Sequence, residues 1–292
     1  MEKVPDNFLG IEPELSNFEK SRVVVASAPY EKTVTYGKGT SKGPRAIIEA
    51  SKQLEFWDEE LKANIVEKIG GVATLKPYDI KNKKPEEVAQ ILERETKKLI
   101  ERKKFVVTLG GEHSMCIGPA RAYSKSFQNI SILYFDAHGD LRNEYMGSEY
   151  NHACALRRIA DVNGNIVHIG CRSLEEEQMG FIEKNKLKFF WAHEFKRGLV
   201  NYEGIINSLK ENVYISFDID VLDSGLHPST SNPEPGGLDW YDMITVLRNV
   251  GKEKNIVGFD ICEHSPIKNF YAYDFTAAKL AYKTIGYALL KT

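Results

Sequence analysis

ISILYFDAHGDLR, residues 130–142, opens as an apolar run suited to a buried strand. It then carries Asp136, His138 and Asp140, an ionisable residue at every second position. Side chains two apart in an extended chain share one side. The three therefore converge at the strand's C-terminal end if the extension continues that far; otherwise a turn must bring Asp140 round. VYISFDIDVLD, residues 213–223, ends the same way in Asp218 and Asp220. In FVVTLGGEHS, residues 105–114, two glycines precede Glu112 and His113 and let the backbone turn tightly without side-chain crowding.

Outward from these stretches, further strand-like runs are RVVVASA (22–28), GGVATL (70–75), NIVHIG (165–170), KFFWA (188–192) and IVGFDICE (256–263). Charged or amphipathic helical patterns lie between them, as in PEEVAQILERETKKLIERKK (85–104) and SLEEEQMGFIEKNK (173–186). FTAAKLAYKTIGYALLK (275–291) reads as a long final helix. Valine- and isoleucine-rich runs without polar alternation suit strands buried on both faces, and strand–helix alternation suits a parallel sheet with helices on both sides. Eight such strands also fit a closed (β/α)₈ barrel, which periodicity leaves open. In either architecture chemistry collects at the C-terminal strand ends.

The 292 residues, 42% of them hydrophobic, suffice for a sizeable core. No linker or repeat divides them, so residues 1–292 are expected to form one α/β domain, with residues 1–20 a polar arm too acidic and proline-broken to be a signal peptide. The net charge of −2, without a basic block, argues against nucleic acid or an anionic membrane as partner. No apolar run approaches the ~18–20 residues of a membrane span. Cys116, Cys154, Cys171 and Cys262 form no C-x-x-C pair, which suits reduced thiols in a cytoplasmic protein.

A lone aspartate after a strand is ordinarily a cap or turn residue. Four aspartates aimed at one place are different, because clustered carboxylates repel and raise one another's pKa values unless cations remove the cost. Four aspartates and two histidines exceed the four ligands of an ordinary zinc site. The set is oxygen-rich, with some imidazole and no thiolate cluster, and favours a hard or borderline ion such as Mn²⁺. Four carboxylate charges balance two divalent ions, and bridging carboxylates hold such ions about 3.5–4 Å apart. The reading is a two-metal hydrolytic site.

The blocks GGEHS, DAHGD and SFDIDVLD, in this order, resemble the three metal-binding signatures of the arginase–agmatinase (ureohydrolase) family. The likeness runs from APYEKTVTYGKGTSKGPRAIIEAS to FDICEHSP and the final helix. It implies a three-layer α/β/α fold around a mostly parallel eight-stranded sheet, two Mn²⁺ ions per subunit and a homotrimer or homohexamer. The matching ligands are His113, Asp136, His138, Asp140, Asp218 and Asp220. By the same match Glu263 binds the substrate guanidinium and His152 is the histidine beside the active-site mouth.

Among the family's branches, DLRNEYMGSEYNHACALRR (140–158) looks most like agmatinase. Glu144 and Glu149 in this loop suit a free amine better than a carboxylate. The resemblance thus implies hydrolysis of agmatine to putrescine and urea, a shared water being made acidic enough by two cations to supply hydroxide. Asp140 is the ligand expected to accept a hydrogen bond from that nucleophile, and His152, with an ordinary pKa near 6.5, is the expected proton carrier. Arginase and guanidinobutyrase share the metals and are the nearest alternatives. A catalytically silent regulatory homologue would have lost ligands, and all six are present here. A histone-deacetylase-like amidohydrolase fits the His–Asp blocks with Glu263 less well. Two departures stand out: Glu112 where aspartate is common, and LDSGLHPSTSNPEPGGL where many relatives carry Asp-Pro and Pro-Gly-Thr-Gly-Thr-Pro.

Overall fold

The computed structural model describes residues 4–290. All eight runs read as strands form one sheet: β1 (Val23–Ala28), β2 (Val72–Thr74), β3 (Phe105–Gly110), β4 (Ile130–Phe135), β5 (Ile166–Ile169), β6 (Lys188–Phe190), β7 (Asn212–Asp218) and β8 (Asn255–Cys262). Their order is β2-β1-β3-β8-β7-β4-β5-β6, and every neighbouring pair is parallel. The sheet is open, with β2 and β6 at its edges, so the barrel alternative is excluded.

Strand residues alternate between two apolar layers as a period of two requires. Val23 and Val25 of β1, Leu133 and Phe135 of β4, and Ile215 and Phe217 of β7 face a core closed by helices Gly43–Ser51, Trp240–Glu253 and Tyr271–Leu289. Val24, Ile132, Tyr134 and Tyr214 face the other way, under helices Pro85–Glu101, Ile117–Ser126 and Ala155–Ala160. Each fully buried side chain of this kind contributes about 1.5–3 kcal/mol relative to exposure. Helix ends follow local chemistry. Pro85 opens its helix at a position whose N–H needs no partner, and Glu87 accepts the Lys84 amide at 2.8 Å. Asp239 and Asp242 cap each other's backbone amides at 2.9 and 3.0 Å.

The N-terminal arm, polar in composition, is docked rather than free: Phe8, Leu9 and Ile11 are buried in the first core layer. All four cysteines are buried and unpaired. Among the described residues no helix is long and apolar enough to cross a membrane.

The strand order places the chemistry. The chain leaves β3 and returns as β4 with room for two strands between them, and the gap is filled later by β7 and β8. Such a break in sequence order opens a crevice above the C-terminal strand ends. The four strands that flank it, β3, β8, β7 and β4, lead into His113, Glu263, Asp218–Asp220 and Asp136–Asp140 respectively.

Candidate metal centre and substrate cavity

His113 follows β3 through Gly110 and Gly111. Neither glycine has a positive φ, so a tight left-handed turn is not their purpose. A Cβ on Gly111 would lie 2.0 Å from the Tyr30 carbonyl oxygen, and one on Gly110 would lie 2.5 Å from Cys262 Sγ. Close packing of neighbouring chain demands them.

Strand β4 ends at Phe135, before the ionisable residues begin. A turn brings Asp140 round, at a φ of 47°, a left-handed conformation uncommon for a residue with a Cβ. The Ala137 amide donates to Asp220 Oδ1 at 3.0 Å, tying the turn to the segment just after β7, and the His138 amide donates to Asp136 Oδ1 at 2.5 Å within the turn.

The six histidines and aspartates come together as two groups that share Asp136. His113 Nδ1 lies 2.9 Å from Asp136 Oδ2, 3.3 Å from Asp218 Oδ2 and 3.4 Å from Asp140 Oδ2. His138 Nδ1 lies 2.9 Å from Asp220 Oδ2 and 3.5 Å from Asp136 Oδ1. One Asp136 oxygen thus turns to each group, and the donor atoms of His113–Asp136–Asp140 and of Asp136–His138–Asp220 each fall within 4.8 Å of one another. All but His138 are buried.

Burial and the neighbouring carboxylates push Asp136 up to about 6 and Asp218 well above the ordinary carboxylate range. Burial acts on Asp220 in the same direction, but the adjacent His138 outweighs it and holds the group low. Two divalent cations would relieve this crowding. The donors are carboxylate oxygens and imidazole nitrogens with no thiolate in either group, so the residues fit a pair of hard or borderline divalent ions.

Neighbouring groups hold the ligands. His168 donates from Nε2 to the His138 carbonyl at 2.8 Å, while burial pulls its pKa down to about 4 and keeps it neutral. Glu112 stands apart from the ligands. Its buried carboxylate accepts the Lys32 amide at 2.6 Å, the Thr33 amide and hydroxyl at 2.7 Å, and the Ser114 hydroxyl at 2.6 Å. Thr33 Oγ1 in turn accepts the His152 amide at 2.9 Å. Glu112 therefore anchors the early loop, which anchors His152.

A cavity opens above both groups, with His152, Glu263, Ser231, Asn232, Tyr145 and Glu175 in its wall. His152 Nδ1 lies 3.6 Å from Glu263 Oε1, and its buried Nε2 has no partner. Burial works to lower the His152 pKa, but Glu263 outweighs it and the net shift is upward. Glu263 has a φ of 64°, and its two oxygens accept the His113 amide at 2.7 Å and the Ser231 hydroxyl at 2.5 Å. Strain of this kind persists where surrounding contacts over-determine the backbone.

Glu144 and Glu149 must be reassigned. Neither lines the cavity; Glu144 is exposed, and Glu149 turns away to pair with Arg158 at 3.1 Å. Glu175 occupies the wall instead and pairs with Arg142 at 2.8 Å. It follows β5 at the same sheet edge as the other site residues, so the strand-end rule applied to NIVHIG would have reached it. Ser231 and Asn232 lie in the divergent loop, whose base is pinned by Arg172. That guanidinium donates to the carbonyls of Asp220 at 2.8 Å, Glu234 at 2.9 Å and Pro235 at 3.0 Å.

Residues 21–286 match the model of the arginase family. The chain belongs to the arginase family. Among relatives, this arginase-family chain is 34% identical to an N(1)-aminopropylagmatine ureohydrolase of Synechocystis sp., over 97% of this chain and 94% of that protein. It is 35% identical to an agmatinase of Pyrococcus horikoshii, over 90% of each. The crystal structure of agmatine ureohydrolase of Thermoplasma volcanium superposes with a TM-score of 0.87 at 28% identity, covering 98% of this chain and 95% of that one. These matches bear out the three-layer, eight-stranded fold expected from the motifs.

Proposed function

We propose that this arginase-family hydrolase cleaves the guanidino group of agmatine, with water, to putrescine and urea. The observation that carries the reading is the placement of Glu263: a carboxylate at the cavity wall, directly above two groups of metal-ligand type. His113, Asp136, Asp140 and Asp218 would hold one Mn²⁺, and His138, Asp136, Asp218 and Asp220 the other. The chemistry such a pair supplies when bound is a water acidic enough to attack near neutral pH.

The protein's own part is orientation and proton handling. Both Glu263 oxygens are held by donors from two sides, and the capacity they keep would let Glu263, in the cavity wall, accept from a planar, N–H-rich guanidinium. Holding the guanidino carbon in line converts an encounter into a positioned reaction. Asp140 accepts a hydrogen bond from the attacking water. A C–O bond forms, the C–N bond to the alkyl chain breaks, and His152 supplies the proton that lets the amine leave. Its raised pKa keeps it a proton donor nearer neutrality than an ordinary buried histidine.

At the far end of the substrate, Glu175 is the carboxylate placed to receive an amine, with Arg142 holding it. The names of the relatives favour a second reading, in which the amine carries an aminopropyl extension and the product is a triamine. Urea release by Mn²⁺-loaded protein from agmatine, N(1)-aminopropylagmatine, arginine and 4-guanidinobutyrate tests the proposal. Preference for either amine-ended substrate over both carboxylates supports the reading of Glu175, and preference for arginine or 4-guanidinobutyrate removes it.

A further inference from the structure

Behind His113, on the side away from the cavity, lies a buried polar chain that the reaction does not use. His113 Nε2 is 3.0 Å from Ser216 Oγ, and Ser216 Oγ is 2.9 Å from Asp260 Oδ1. Tyr214 donates to Asp260 Oδ2 at 2.6 Å, and the Cys262 thiol lies 3.6 Å from Oδ1. Sheet register builds the chain, since Asp260 of β8 pairs directly with Ser216 of β7. His113, Tyr214, Ser216 and Asp260 are all at most 1% exposed.

Counting donors assigns the protons. Asp260 receives hydrogens from Tyr214, Ser216 and Cys262, and offers none as a carboxylate. Ser216 has one hydrogen and gives it to Asp260, so its oxygen can only accept from His113. The His113 proton therefore sits on Nε2, and the Nδ1 lone pair faces Asp136, Asp140 and Asp218. Nδ1 also lies 2.9 Å from the Tyr134 hydroxyl, whose hydrogen goes to Asp140, so only a cation or a proton can lie between Nδ1 and these acceptors.

We infer that Asp260 is a positioning residue for metal binding: through Ser216 it fixes the tautomer in which His113 presents Nδ1 as a ligand. The inference rests on the two-ion reading of the site. Hydrogen-bond partners of this kind orient a metal-bound histidine, and their loss typically weakens metal binding about 10–100-fold.

Asp260→Asn supplies an amide N–H that can donate to Ser216. The serine hydrogen is then free for His113 Nε2, and the imidazole proton moves to Nδ1, where it blocks the ligand. The test is Mn²⁺ equilibrium dialysis with electron paramagnetic resonance on the full chain. The expected result for Asp260→Asn is a 10–100-fold weaker first ion, close to one Mn²⁺ per chain where the wild type holds two, and loss of the spin-coupled pair signal. Ser216→Ala, which removes the acceptor itself, is expected to lose the same ion, whereas Ser216→Thr, which keeps a hydroxyl, retains both. Tyr214→Phe strips one hydrogen bond from Asp260 but leaves Ser216 on His113, and also retains both.

Wild-type affinity and coupling in Asp260→Asn or in Ser216→Ala would overturn the inference. So would equal metal loss in Tyr214→Phe, which would mark a general effect of disturbing the core. Wild-type protein that binds no Mn²⁺ would remove the two-ion reading together with the relay, a result distinct from failure of the relay alone.

Discussion

His152 Nδ1 faces Glu263 Oε1 across 3.6 Å, and the two residues come from loops more than a hundred positions apart. Their partners make the pairing deliberate: the Thr33 hydroxyl accepts the His152 amide, and the His113 amide donates to Glu263. His152 and Glu263 are therefore held by the same network that holds His113.

Glu263→Gln keeps the acceptor geometry in part but loses the charge that pairs with a guanidinium. The expected result is full Mn²⁺ content with turnover lowered by about 10²–10³, the range for removing one positioned electrostatic partner. Turnover and metal analysis on the same sample check it; near-normal urea release would take Glu263 out of the mechanism.

His152→Asn should leave metal content intact and lower kcat by about 10²–10⁴, the usual contribution of a positioned acid–base group. Burial opposes protonation of His152 but Glu263 outweighs it, so its folded pKa is raised. A general acid with a raised pKa loses activity as pH climbs through that value. The alkaline limb of the wild-type kcat profile is thus expected to move to lower pH in Glu263→Gln, and to vanish in His152→Asn.

Glu175→Gln is expected to raise KM for agmatine about tenfold or more with a smaller change in kcat, as loss of a charge-assisted contact worth about 1.5–3 kcal/mol implies. Glu144→Gln and Glu149→Gln lie off the cavity and should leave both constants unchanged. Steady-state kinetics on the three variants separate these outcomes.

Much of this site was legible because a buried strand advertises the residues that follow it. Asp136, Asp218 and His113 stand at the end of, or just beyond, runs of buried and mostly apolar residues, where an ionisable group needs a reason. The strand order was not legible, since β7 and β8 enter the gap between β3 and β4 through long-range pairing. Glu144 and Glu149 misled because a loop's composition does not tell which side chains turn inward, and Arg158 draws Glu149 away. Ser216 and Asp260 did carry a signal: each is a polar residue in the middle of an apolar buried strand, where it needs a partner of its own.

Stability should respond to pH through a pair far from the cavity. Lys283, 2% exposed, donates to Asp58 at 2.8 Å, and Asp58 is wholly buried. Burial alone would raise the Asp58 pKa, but Lys283 and the amides of Leu61 and Glu60 outweigh it and hold it below 3.8. A carboxyl with a depressed folded pKa contributes stability that is present above its unfolded value and lost as pH falls through the folded one. Lys283 itself is raised above 10.5, so its share is complete below that value and lost only as pH rises through its folded pKa. Thermal melts are therefore expected to be insensitive to this pair from pH 5 to 9 and to fall in acid below about pH 4. Lys283→Met leaves Asp58 buried and unpaired, and should cost about 3–5 kcal/mol at neutral pH.

The most direct test of the central claim is a Mn²⁺ titration of chelator-treated protein, with bound metal and urea release from agmatine followed together. Two ions per chain are expected, with activity appearing as the second site fills. Asp136→Asn, which alters a residue that turns one oxygen to each group, should weaken both sites at once. Undiminished urea release from the metal-stripped protein, or full activity with a single ion, would contradict the account.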